Sequence, residues 1–464
     1  MAKPQDNDTW IEDIYQPKSV QITMFTGFEM SMLSKMTIMI DYFVDNIDLS
    51  FFNHYYKYDE IKGGRPGYEY KILLKLYLYA LYENISMNKF HEHYHLGSNL
   101  HYLIDGSSNF PERHVFTSFL KDLDKHSEEI WDLLIKFIQD HVSLDTANLY
   151  NDGTVFEAHN NRHKIITDTN IARSNTRWTN ILNDENSTEE SKSIAKVKLD
   201  LNIQRTKKLE ELNRTSYGRT DEDCVIMQDK NKSFIAGYNV QLTVESNHGF
   251  IVYPYISNKN PDAIAFEDMV YKLDDKYEIS TITLDTGYGT PTILEILEKL
   301  EITPIVKALK NENANKKITD YSFRLSENDD CLICPEGQFL EKHKVNNDKT
   351  YYKAKNCASC PAKKECCPKT KVKTVSINIS EFRRFNKAKE IIESEEGIKR
   401  YSHRGNKCES PNGFIKYNLN GKKLVMKGLE RNKTIIILYS ILYNLRRLIT
   451  VKSIEKNERD KPTK

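Results

Sequence analysis

The hydrophobic rhythm of this chain changes after Val142, and that change limits the folds open to it. Ahead of it, apolar residues recur at helical spacing. Residues 32–44 have such a rhythm, and 68–83 carry Ile72, Leu73, Leu76, Leu78, Leu81 and Tyr82 on one wide stripe. A further helix fits 86–95, with Ser86 as its N-cap, and another lies near 117–124. Behind Val142, strand-like runs at 144–155, 234–244, 249–256, 279–284 and 302–306 are interleaved with helical stretches at 263–273 and 292–299. This is an α/β succession behind a helical N-terminal region, with antiparallel content at 234–256.

Two segments interrupt the pattern. Residues 160–232 are polar and highly charged, and 191–212 reads as a solvent-exposed helix. Residues 319–370 are polar and rich in cysteine. A strand at 372–379 and helices at 379–395 and 427–449 follow. The expected division is 1–140, 141–318, 319–370 and 371–464.

Charge sets the next limit. The chain has 67 Lys and Arg against 66 Asp and Glu, a net charge of +1, so any face for nucleic acid has to be local. The segment from Lys399 onward is a candidate, with Arg404, Lys416, Lys427 and Arg431 close together. There is no signal-like N-terminal stretch and no run of eighteen apolar residues, so an intracellular protein is expected. Eight cysteines in a reducing compartment argue against a disulfide framework. No G-x-S-x-G nucleophile motif and no P-loop occurs.

The chemistry-bearing residues stand at strand ends. Asp152 closes an apparent strand and precedes Gly153–Thr154; Asp285 follows another and precedes Thr286–Gly287. A carboxylate so placed is exposed and close to backbone, although Asp–Gly is also a common turn pair. Asp145 competes with Asp152 but lacks the following Gly–Thr. Carboxylates brought together can hold Mg²⁺ or Mn²⁺, and two such ions can activate water and stabilise the leaving oxygen of a phosphodiester.

Several segments resemble the DDE transposases of bacterial insertion sequences, specifically the IS1182 family in the IS4/IS5-like assemblage. The likeness runs through Gly64–Tyr68, Leu73–Tyr79, Asp152–Gly153–Thr154, Gly237–Gln241, Asn260–Asp262 and Leu284–Gly289. It continues in Tyr401, Arg404, Glu409 and Lys416, at the family spacing of two, four and six intervening residues, and in Gly413 and Gly428–Glu430. Asn412 stands where the family usually has an aromatic, and Pro411 sits one place later than the family proline. The resemblance implies an RNase H-like α/β core with a helical N-terminal DNA-binding domain. Asp152, Asp285 and Glu409 would be the catalytic metal ligands, and Arg404, Lys416, Tyr401 and Lys427 would contact DNA. The implied partners are double-stranded DNA, the element's terminal inverted repeats and target DNA, engaged as a homodimer in the bacterial cytoplasm, with no membrane. A zinc-containing DNA-binding protein or a related metal-dependent nuclease is the alternative.

Cys331–x2–Cys334 and Cys357–x2–Cys360 are pairs of the kind that hold structural Zn²⁺. Pair spacing favours those four. The family likeness favours Cys334, Cys357, Cys360 and Cys366. Cys224 and Cys408 are expected to be unligated.

Overall fold

The computed structural model describes residues 9–15, 33–55, 67–87, 89–90, 98–104, 110–228, 232–307 and 322–459. Gly64–Arg65–Pro66, most of the N-terminal lead-in and most of the expected 86–95 helix lie outside the described residues. The chain runs through α1 (Thr9–Ile14), α2 (Lys35–Asp45), α3 (Tyr70–Tyr82), α4 (Ser98–Leu103) and α5 (Arg113–Gln139). It continues as β1 (Asn148–Glu157), β2 (Ile165–Thr167), α6 (Asp168–Asn183), α7 (Glu189–Glu211), β3 (Ser216–Gly218), β4 (Val225–Gln228), β5 (Phe234–Glu245) and β6 (Ile251–Ser257). Next come α8 (Asp262–Asp274), β7 (Thr281–Thr283), α9 (Pro291–Lys299), β8 (Thr303–Ile305), β9 (Arg324–Leu325), β10 (Cys331–Ile333), β11 (Phe339–Asn346) and β12 (Lys349–Ala354). The chain closes with α10 (Lys363–Cys366), β13 (Thr374–Ile377), α11 (Ile379–Glu393), α12 (Glu395–Gly413) and α13 (Leu429–Arg459). It is a mixed α/β protein with a helical N-terminal region, divided into two compact units.

The first unit comprises 1–144, 153–261 and 409–464. Its core joins α2, α3, α5 and α13 to the apolar face of β5, through Phe43, Leu74, Leu123, Ile138, Val240 and Leu442. Inside the helical part, Lys75 is almost fully buried and its Nζ lies 2.7 Å from Asp41 and 2.6 Å from Asp45, so one cation ties α3 to two carboxylates of α2. β5 pairs antiparallel with β4 through Phe234–Gly237 and with β6 through Asn239–Val244. Asn444 of α13 covers the backbone of β6, accepting from Ile251 N at 2.9 Å and donating to Ile251 O at 2.8 Å. That satisfies strand groups which would otherwise be buried without partners.

Helix α13 is the one described helix long and apolar enough to cross a membrane by length and composition, and 83% of its apolar window is buried inside the protein. It is the central core helix of this unit. Its first N–H groups, which have no partner within a helix, are met by carboxylates. Asp221 accepts from Gly428 N at 3.0 Å and from the Tyr238 hydroxyl at 2.7 Å, and Asp223 accepts from Leu429 N at 2.8 Å. Negative charge is favoured at that end of the helix dipole. Asp124 of α5 holds the next turn, bonded to Arg431 at 2.5 Å and to Thr434 at 2.7 Å.

The second unit comprises 145–152 and 262–408. Here the start of β1 pairs parallel with β7, Tyr150 opposite Thr283, and β7 pairs parallel with β8. The cysteine-rich segment is a separate antiparallel sheet in the order β13-β12-β11-β10-β9, closed on Phe323, Leu332, Leu340, Tyr352, Val375 and Phe382.

Three expectations change. The helix expected at 117–124 is the middle of the 27-residue α5. The polar 160–232 segment holds two helices, α6 and α7, rather than one. Asp152 does not close its strand, because β1 runs on to Glu157. Glu409 lies within α12, and a π-helical turn at Phe414–Asn418 follows. That wider turn alters the register between Glu409 and Lys416, and such turns are frequent at functional sites.

Candidate active site

β1 buries Asn151 and brings Asp152 to its middle, where that side chain is 19% exposed. Asp285 follows β7 and caps the short 3-10 turn Thr286–Tyr288, its carboxylate accepting from Thr286 N at 2.8 Å. The parallel pairing of β1 with β7 puts the two aspartates on neighbouring strands of the second unit, Asp152 within β1 and Asp285 just past the end of β7.

Between them stands Arg404, on the part of α12 that belongs to the same unit. Its guanidinium lies 3.6 Å from the Asp152 carboxylate and 3.3 Å from that of Asp285. Tyr401, one helical turn earlier, lies beside Thr286 with its hydroxyl 3.4 Å from Thr286 Oγ1. The ammonium of Lys307 sits 4.7 Å from the centre of the Tyr401 ring. Arg400 donates to Thr281 Oγ1 of β7 at 2.6 Å and so anchors α12 to the sheet. Burial raises the Tyr150 hydroxyl above its ordinary value, against an opposing pull from Arg400. The group is thus two carboxylates, a guanidinium spanning them, and an aromatic with a cation on its face.

The other expected site residues lie in the first unit. Glu409 is exposed on α12. Lys416 donates to Thr154 Oγ1 and lies 4.9 Å from the centre of the Phe156 ring, so it is held against β1. Lys427 is exposed just ahead of α13. Among the described residues, no three His, Cys, Asp or Glu side chains are grouped as the ligands of one ion.

The cysteines divide. Cys334, Cys357, Cys360, Cys366 and Cys367 line one pocket, and Cys331 does not. Cys334 Sγ accepts from Gln338 N at 3.2 Å across the Cys–Pro–Glu–Gly turn, where Gly337 adopts φ +77°. The Cys366 thiol is pushed up to about 11, chiefly by burial, with Cys367, Cys357 and Cys334 close enough to add to the shift. Cys224 is buried elsewhere and pushed up to about 12, first by burial and then by Asp221 and Asp223.

Sequence reasoning did not single out Thr286, Lys307, Arg400 or Cys367. Thr286 had a signal in its position beside Asp285. Lys307 had none, since only the fold brings it to Tyr401.

Two families match the chain: a transposase domain known as DUF772 over residues 29–122, and a transposase DDE domain over residues 333–449. No curated protein matches it. Among solved structures, a piggyBac transposase synaptic complex with hairpin DNA shares 10% identity, with 91% of this chain and 75% of that one covered, at a TM-score of 0.37. A likeness that slight carries no argument.

Proposed function

Because the chain belongs to the DDE-type transposases, we propose that it cuts and rejoins DNA at the ends of an insertion sequence, with Asp152, Asp285 and Glu409 as its metal-holding carboxylates on an RNase H-like core. The observation that carries this reading is the position of Arg404 between the carboxylates of Asp152 and Asp285. Two acidic groups that share a guanidinium already occupy a site that favours positive charge. Their oxygens are the hard ligands Mg²⁺ or Mn²⁺ requires.

When bound, such ions supply activation of the attacking water or hydroxyl and charge stabilisation on the leaving oxygen. The chain's own residues do the rest. Asp152 presents its oxygens from within β1 and Asp285 from just past the end of β7. Glu409 is the third carboxylate that the family likeness implies. Arg404, a planar donor fork, suits a phosphate as well as a carboxylate. Tyr401 and Lys416 flank DNA with a hydroxyl and an ammonium, and Lys427 adds a cation. Backbone phosphates are held without regard to sequence. The helical N-terminal region recognises the terminal inverted repeats, and a homodimer on double-stranded DNA brings two ends to one target.

The cysteine segment is a structural zinc module in this reading. Cys334, Cys357, Cys360 and Cys366 supply four thiolates, a closed set with no open position. What supports this set over one that includes Cys331 is that all four line the same pocket and Cys331 does not.

The test is a cleavage assay on duplexes carrying the element's ends. Asp152→Ala, Asp285→Ala and Glu409→Ala are each expected to remain folded and bind the ends, while nicking and joining in Mg²⁺ fall by more than about a thousandfold. Substantial cleavage by one variant removes that residue from the set. Cleavage by all three overturns the reading.

A further inference from the structure

We infer that the pocket bounded by Glu157, Arg162, Lys164 and Lys423 is a second DNA-backbone site, separate from the acidic group and from the basic stretch of α12. The inference rests on the reading of the chain as a DNA transposase. The pocket has a volume of about 600 Å³ and lies wholly within the first unit. Its floor is formed by Ile235 and Ala236 of β5, and its rim by the loop that follows β1. Three permanent cations, Arg162, Lys164 and Lys423, face it with His159 and His163, against a single carboxylate, Glu157. Lys423 neutralises that carboxylate at 3.1 Å. Among the described residues, Arg162 and Lys164 have no carboxylate partner. In a chain of net charge +1, this is a concentration of unspent positive charge.

The cations are also held in place. Asn160 is buried and accepts from Thr220 N at 2.9 Å, while its amide donates to Asn161 O at 2.9 Å. Asn161 caps the 3-10 turn Arg162–Lys164, accepting from His163 N at 2.9 Å. Lys164 O then accepts from Arg219 N at 3.0 Å, and Ile165 enters the pairing of β2 with β3 opposite Gly218. Gly218 has no room for a side chain, because a Cβ there would lie 2.2 Å from Asp221 O. On the opposite rim, Glu157 N donates to Lys422 O at 3.0 Å and Leu424 N donates to Glu157 O at 2.7 Å, which fixes Lys423. A rim of ordered cations costs little entropy to engage.

Its occupant is a phosphodiester backbone. The pocket is broad and open rather than closed around one small anion, and its cations are spread over two rims. Arg and Lys spread along an open groove can engage successive phosphates without reading sequence.

The experiment measures binding of a fluorescein-labelled duplex of random sequence to the full chain, without divalent ions, across a potassium chloride series. Each phosphate contact contributes about 0.9 to the slope of log K against log salt. The variant Arg162→Gln/Lys164→Gln is expected to lower that slope by about 1.8 and to weaken binding at least tenfold at low salt. The control Lys196→Gln/Lys198→Gln, which removes the same charge from exposed positions of α7, is expected to leave the slope unchanged. An unchanged slope in the pocket variant, with the wild-type chain still binding DNA, overturns the pocket alone. An equal fall in the control reduces the effect to general charge and overturns it too. Inorganic phosphate at matched ionic strength is expected to leave the duplex bound; displacement marks a small-anion site and removes the DNA assignment. A wild-type chain that binds no duplex overturns this site and the transposase reading together.

Discussion

At the scale of single residues, the arrangement turns on the shape of Arg404. Its guanidinium reaches Asp152 and Asp285 at once because it is planar and delocalised, with five donors in a fixed fork. An ammonium is a compact point charge without that fixed fork, so it cannot hold the two carboxylates in the same alignment. Arg404→Lys is therefore expected to keep DNA binding within about threefold, since its charge is unchanged, and to lower cleavage by more than about tenfold through lost alignment. Single-turnover cleavage alongside anisotropy binding checks this; full activity in the lysine variant leaves only charge as the role of Arg404. The aspartates themselves were legible in the sequence beside strand-like runs, although only Asp285 stands at a strand end and Asp152 lies within β1. What the sequence did not carry was their relation to Arg404, more than a hundred positions from either. That relation arises from the pairing of β1 with β7 and from the anchoring of α12 through Arg400.

At the scale of elements, helices with a continuous apolar stripe were readable, and so were the polar α7 and α11, whereas α6 was not. Helices α2 and α3 and strands β5 and β6 stand close to where their periodicity puts them. α6 was missed because its only fully buried side chain is Ile171; it is held to α7 by polar contacts instead. Asn202 of α7 donates to Ser174 Oγ and Asn175 Oδ1 at 2.8 Å each, a seam with no hydrophobic signature. In the cysteine sheet β13 stands where the strand at 372–379 was expected, but β9 to β12 were missed, since short strands of largely polar residues surround a core of a few apolar side chains. The ion pair between α2 and α3 shows how much one buried charge can govern. Burial alone would lower the Lys75 pKa, but the carboxylates of Asp41 and Asp45 outweigh it and the value rises above the ordinary lysine range. Its contribution is therefore complete below about pH 10.4 and is lost as pH climbs through the raised folded value. Urea unfolding of the wild type is expected to show that loss in the alkaline limb. Lys75→Met, which removes the cation beside the buried carboxylate of Asp41, should cost about 3 kcal/mol at neutral pH and should make the alkaline limb shallower. A variant with wild-type stability at neutral pH removes the pair from the account.

At the scale of the molecule, the two units depend on different kinds of cohesion. The first has a large apolar core threaded by α13. The sheet β9–β13 has a small core and five thiols around one pocket. Bound metal in such a segment is folding free energy. Elemental analysis of protein purified without added metal is expected to give about one zinc per chain. Removal by a strong chelator should open residues in the 322–377 segment to protease while leaving the first unit resistant. Folded protein with no zinc, or a first unit that fails at the same chelator concentration, contradicts the module.

One feature of the first unit also bears on the protein's time of birth. Helix α13 leaves the ribosome hundreds of residues after α2, α3 and α5, yet its buried face completes the core that they lay down. Asp124, Asp221 and Asp223 wait for partners at Arg431, Thr434, Gly428 and Leu429. A nascent chain stalled before Gly428 therefore exposes apolar helix surface and carries Asp124, Asp221 and Asp223 without their later partners. Quality control can recognise such an intermediate, and synthesis through α13 becomes a condition for a stable DNA-cutting protein.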